Sequence, residues 1–199
     1  MYKVIPFQTK DVENVRGADW LEVWFDRIQP KFHESILKKI KKPFIYKVEE
    51  KGLKKLNKEV VKKASAIDLD VSTSKSKIKE FKTLNKKAEI IISYHNFKET
   101  PQPKKMGEIL EEMLKKEADI VKFATHAKDL NDAIVILDFL SKTSKKDQKA
   151  ICIGMGEFGI LTRTTGHLFG SHMMYFAQDE KTRTAPGQIT LKEYKNHII

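Results

Sequence analysis

Apolar residues along this chain come in short bursts, separated by longer stretches with helical spacing. The bursts are "YKVIPF" (2–7), "WLEVWF" (20–25), "PFIYKV" (43–48), "SAIDLDV" (65–71), "AEIIISYH" (88–95), "ADIVKFAT" (118–125), "AICIGM" (150–155) and "HMMYFA" (172–177). Runs of this length, bounded by polar residues, predict buried strands. Between them lie segments such as "PKKMGEILEEMLKKEA" and "DLNDAIVILDFLSKT", whose apolar residues recur at three and four and predict amphipathic helices. Strand and helix in alternation predict a parallel sheet, because parallel neighbours need a crossover between them. Eight repeats in 199 residues give about 25 residues each, near the minimum for a strand and its crossover. The expected fold is therefore α/β, a compact (β/α)8 TIM barrel, as a single domain over residues 1–199. The first connection, "QTKDVENVRGAD", has room for only about two helical turns.

Barrels of this kind carry chemistry at the C-terminal ends of their strands. Polar residues that interrupt or end the bursts are thus the candidates: Glu22, Asp68 and Asp70, His95, Lys122, and loop residues after the seventh and eighth strands. Lys122 stands out because Ile120, Val121, Phe123 and Ala124 surround it. A buried ammonium costs several kcal/mol unless paired, so such a lysine is neutralised or used; the bland alternative is a lysine that snorkels from the strand end to water. His95 ends the fifth burst and Lys122 follows 27 residues later, about one strand–helix unit. Neighbouring strands lie about 4.8 Å apart, so the two side chains are expected to meet above the barrel core. A desolvated lysine near other cations has a depressed pKa, which suits Schiff-base chemistry. Asp68 and Asp70 alternate onto one strand face, where hydrogen bonds to backbone or to a rim lysine are the expected role.

Charge changes this picture little. The net charge is +11, and residues 31–90 hold 18 lysines, no arginine and eight acids. These lysines fall mostly on the polar side of helical patterns, without aromatics spaced for base stacking or arginines for base edges. A solvated basic face is expected, and no nucleic-acid partner. No run of 18 apolar residues exists, so no membrane span is expected. The start of the chain turns polar too soon for a signal peptide, and the single Cys152 fits a reducing cytoplasm. His167 and His172 are five apart, which is not a helical metal-binding pair. "GMGEFG" (154–159) matches the dinucleotide fingerprint after a strand, with Asp179 20 residues beyond Gly159. Only 40 residues follow Gly159, too few to complete a nucleotide-binding sheet. Those glycines are instead expected to let backbone pass close to a ligand.

With these residues in view, the chain resembles the type I 3-dehydroquinate dehydratases. The similarity is carried in order by "ADWLEVWFD" (18–26), "SYHNFKETP" (93–101), "ADIVKFAT" (118–125), "MGEFGILTR" (155–163) and "TAPGQI" (184–189). The resemblance implies a (β/α)8 barrel using no metal and no cofactor. It implies that Lys122 forms a Schiff base with the ketone of 3-dehydroquinate. His95 would move protons as general acid and base, suited to a group titrating near neutrality, and would assist formation and hydrolysis of the imine. Arg163 would clamp the substrate carboxylate. Thr184, where the family usually has serine, and Gln188 would close over the substrate, while Glu22 would accept from a substrate hydroxyl. A small-molecule substrate is the implied partner, and the family offers a homodimer as the assembly. Two departures stand out. Trp24 replaces an arginine usual two residues after the glutamate, and where the family's third strand usually ends with an arginine and a nearby acid this chain runs "YKVEEKG", leaving Lys47, Glu49 or Glu50 to fill part of that role. Two other readings keep the barrel: a Schiff-base lyase with an altered substrate, and a non-catalytic binding protein that uses the basic face.

Overall fold

All eight bursts form strands: β1 (Tyr2–Phe7), β2 (Trp20–Val23), β3 (Phe44–Lys47), β4 (Ala66–Asp70), β5 (Glu89–Asn96), β6 (Ile120–His126), β7 (Lys149–Met155) and β8 (Met173–Tyr175). The computed structural model describes residues 1–197; residues 198–199 and the side chains of Glu50 and His197 lie outside the described residues. The strands make one sheet in the order β7-β6-β5-β4-β3-β2-β1-β8, with every neighbouring pair parallel. The amide of His172, just before β8, donates to Ala150 O of β7 at 2.8 Å. That bond brings the two ends of the sheet together, and the barrel is nearly closed.

The helices follow the strands: α1 (His33–Lys39), α2 (Glu50–Lys54), α3 (Lys58–Lys63), α4 (Lys75–Leu84), α5 (Pro103–Lys115), α6 (Leu130–Ser144), α7 (Ile160–Thr165) and α8 (Leu191–His197). Local chemistry sets their starts. Asp129 accepts from the Asp132 amide at α6, Ser74 accepts from the Lys77 amide at α4, and Pro103 opens α5. The β1–β2 connection forms no helix, although the sequence left room for two turns. Asn14 explains the difference: its amide donates to Lys39 O and its carbonyl accepts from the Lys41 amide, each at 2.8 Å. The segment is pinned along the end of α1, and Gly17 turns it at φ +89°.

Alternation along each strand divides the apolar residues into two layers. Outward residues such as Leu21, Val23, Ile67, Ile90 and Phe123 pack against helix residues such as Phe81 and Leu140. Inward residues Val4, Ile45, Ala66, Ile91, Ile120, Ile151, Met173 and Tyr175 fill the barrel. Two residues further along four of these strands, the inward positions hold Lys47, Asp68, Ser93 and Lys122. A polar layer thus sits on an apolar floor, at the strands' C-terminal ends. Of the lysines in 31–90, Lys47 is the buried one; the others are exposed or half-exposed, as a solvated face requires. Among the described residues no helix is long and apolar enough to cross a membrane.

Candidate active site

Lys122 points into the barrel and is not free there. Its Nζ donates to Asp68 Oδ2 at 2.9 Å and to Glu22 Oε2 at 3.1 Å, and lies 4.2 Å from the centre of the Tyr175 ring. Asp68 Oδ1 accepts from Lys47 Nζ at 2.8 Å and from Ser93 Oγ at 2.6 Å. Glu22, Lys122, Asp68 and Lys47 therefore form a buried chain of alternating charge, with Asp68 fully buried and Lys122 only 4% exposed. Burial acts against the Lys122 ammonium, but the Asp68 and Glu22 carboxylates together outweigh it and hold its pKa well above the ordinary value. Burial likewise acts against the Asp68 carboxylate, and Lys122 and Lys47 reverse it, holding that carboxyl below its usual range.

This corrects the expectation of a depressed, cation-flanked lysine. The apolar neighbours in "ADIVKFAT" do not describe the surroundings of Lys122, because residues adjacent on a strand face the other side. Its partners come from β2 and β4. Asp70, the second member of the aspartate pair, instead accepts from the Ser72 amide at 2.9 Å and from its hydroxyl at 2.6 Å.

His95 lies near the end of β5, one inward position beyond Ser93. Its ring is partly buried and stacks on Phe97, with centroids 6.4 Å apart at 15°. Among the described residues its ring nitrogens have no hydrogen-bond partner. Burial, together with the Lys47 and Lys122 charges, pushes the imidazole down to about 3, against a partial pull from Asp68 and Asp70. The ring is therefore neutral at pH 7 with wide margin, not poised near neutrality as expected. A neutral imidazole is the form that accepts a proton.

Arg163 extends from α7 and is 4% exposed. Its Nε donates to Gly154 O at 3.1 Å, and among the described residues no carboxylate lies within salt-bridge distance. Burial lowers its pKa only to about 10, so the guanidinium remains charged and lacks a counter-ion. In the loop after β8, the Thr184 amide and hydroxyl both donate to Gln188 Oε1, at 2.7 and 3.0 Å. Glu22, His95, Lys122, Arg163, Thr184 and Gln188 all line one cavity, of about 510 Å³ counting its open mouth.

The glycine motif makes close approaches within the protein itself. A Cβ on Gly159 would fall 2.4 Å from Gly154 O, and one on Gly187 would fall 2.2 Å from Gly156 O. Gly156 N donates to Pro186 O at 3.2 Å. The approaches at Gly159 and Gly187 are backbone to backbone, within the β7–α7 turn and between that turn and the β8 loop, while a Cβ on Gly156 would fall 2.7 Å from His126 Cε1. The turn is the seat on which the Thr184–Gln188 loop rests.

The family departures also resolve into contacts. The Trp24 indole lines the cavity and donates to Glu22 Oε1 at 2.9 Å. The Arg27 guanidinium stacks 4.0 Å from the Trp24 ring centre and grips Glu49 in a bidentate pair, at 3.0 and 2.7 Å. Lys47 is committed to Asp68 and Ser93, Glu49 to Arg27, and the Glu50 side chain is outside the described residues. Sequence reasoning missed Ser93 and Tyr175. The available signal was alternation: each is a polar residue that falls on the inward face of its strand.

A model of the type I 3-dehydroquinase family matches residues 8–197. A 3-dehydroquinate dehydratase of Methanocaldococcus jannaschii is 36% identical over 193 residues, covering 88% of this chain and 86% of that protein. A Dehalococcoides mccartyi protein of the same name is 30% identical over 197 residues, covering 94% of this chain and 87% of its own. Among solved structures, the type I 3-dehydroquinate dehydratase of Clostridium difficile superposes with a TM-score of 0.82 at 22% identity, over 98% of this chain and 89% of that one, a likeness of fold. Matched over residues 8–197 by the family model, and by a relative 36% identical over most of both chains, this chain belongs to the type I 3-dehydroquinase family.

Proposed function

We propose that this chain is a 3-dehydroquinate dehydratase, a hydro-lyase of aromatic amino-acid biosynthesis that works through an imine on Lys122. One observation carries the reading. A buried lysine shares a cavity with a neutral imidazole that has no hydrogen-bond partner and a guanidinium that has no counter-ion. The charge of Arg163 suits the substrate carboxylate, which also orients the ring of the substrate. The ammonium of Lys122 first gives a proton to Glu22, while Asp68, which also holds Lys47, stays ionised. Its amine then adds to the ketone carbon, and loss of water leaves an iminium. The iminium draws electrons from the adjacent C–H, so that neutral His95 can take that proton. Collapse of the enamine expels the β-hydroxyl, protonated by the imidazolium, and hydrolysis of the conjugated iminium frees Lys122. Glu22 keeps acceptor capacity on both oxygens beyond its bonds to Trp24 and Lys122, enough to receive a substrate hydroxyl.

A second reading, a lyase for a related keto acid, draws on Trp24. An indole stands in the cavity wall where the family usually presents a guanidinium, and the nearby Arg27 is tied to Glu49. Turnover of 3-dehydroquinate, followed by the absorbance of the conjugated enone, separates the two. Wild-type turnover that Lys122→Ala abolishes supports the dehydratase. An inert wild-type protein, or a Lys122→Ala variant with near-normal turnover, contradicts it.

A further inference from the structure

Tyr175 is a polar side chain beside Lys122 to which the imine mechanism gives no task. It stands on β8 facing the barrel interior, lines the same cavity as Lys122 and is 7% exposed. Its hydroxyl is buried and, among the described residues, has no acceptor within hydrogen-bond geometry; the group that faces it is the Lys122 ammonium, itself a donor, although buried phenols ordinarily find an acceptor. Burial and the neighbouring Glu22 charge hold it protonated, so it is a donor with nothing to donate to. An unsatisfied donor in a ligand cavity marks where a ligand acceptor belongs.

The acceptor can be named from the position of Lys122. Its Nζ lies 4.2 Å from the Tyr175 ring centre. When the amine adds to a ketone, the former carbonyl oxygen is two bonds from Nζ and must leave as water. We propose that the Tyr175 hydroxyl is a further catalytic group, donating to this oxygen and protonating it as the carbinolamine forms and collapses. The inference rests on the imine reading above.

The step balances. The N–C bond forms as the carbonyl π pair moves onto oxygen. The oxygen takes the Tyr175 proton, and the adduct nitrogen returns one to the phenolate. Tyr175 then protonates the hydroxyl, the C–O bond breaks, water leaves, and the nitrogen lone pair closes the iminium. The proton first shed by the Lys122 ammonium to its carboxylate partner restores the phenol. Lysine ammonium plus ketone thus gives iminium plus water.

The test is Tyr175→Phe, which keeps the ring under the ammonium and removes only the hydroxyl. Mixing with 3-dehydroquinate, quenching with borohydride at successive times and weighing the intact protein gives the rate of adduct formation. The expected result is an adduct that forms on the order of 10²-fold more slowly than in wild type. The melting temperature should be unchanged or higher, since no hydrogen bond is lost with the hydroxyl. Adduct formation at the wild-type rate in Tyr175→Phe overturns the proposal and leaves the imine reading standing. Absence of any adduct in wild type overturns both.

Discussion

Lys122 is set by its partners, not by isolation. Two carboxylates keep it charged in the substrate-free protein, and one of them, Asp68, also holds Lys47. Removing one member of a buried ionic chain leaves uncompensated charge, so Asp68→Asn should cost about 3–5 kcal/mol at pH 7. The sign with pH follows from linkage. The folded-state pKa of Asp68 lies below its unfolded value, so its contribution is present above the unfolded pKa and is lost as pH falls. Urea denaturation should therefore show the gap between wild type and Asp68→Asn narrowing below about pH 4; a gap independent of pH would contradict this. The same charges act on His95. Burial adds to them, so its ring resonances, followed by NMR, should show no midpoint between pH 5 and 8, whereas a midpoint near 6.5 would show that neither burial nor the neighbouring cations govern it. In His95→Ala the imine should still form on Lys122, slowly, while turnover collapses.

At the scale of elements, the strands were legible because each is a short apolar burst whose length no helix fits. The helices α5 and α6 were legible from their spacing and their starts at Pro103 and Asp129. The β1–β2 connection was not, because Asn14 fixes it through bonds to residues 25 and 27 positions away, which no local pattern encodes. The glycines of the β7–α7 turn were visible, but their purpose was not. A motif shows that backbone comes close to something without showing to what. Gly187, at φ +71° and against Gly156 O, is where the β8 loop meets that turn. Gly187→Ala should lift the loop that carries Thr184 and Gln188, raising KM about tenfold or more, while the barrel loses only about 1 kcal/mol. An unchanged KM in steady-state assays would show that the loop takes no part in binding.

For the whole molecule, the order of strands around the barrel turns a scattered set of residues into one layer. Glu22, Lys47, Asp68, Ser93 and Lys122 come from five strands and span 100 positions between the first and the last. The sequence marked Glu22, Asp68 and Lys122 as interruptions of apolar runs, but not that they touch; register supplies that, pairing Lys47 with Asp68 and Ser93 with Lys122 across adjacent strands. Composition misled in one place only. Of 18 lysines in residues 31–90, the buried Lys47 sits within the apolar burst "PFIYKV", a local signal that the count of lysines around it concealed. The charge of that region belongs to a solvated face, and the chemistry lies inside the barrel.

The central claim is covalent. Borohydride reduction of the protein in the presence of 3-dehydroquinate, followed by peptide mass analysis, should place one reduced adduct on Lys122 and none on Lys47. Reduction that leaves Lys122 unmodified, or that marks another lysine with turnover intact, would contradict the account.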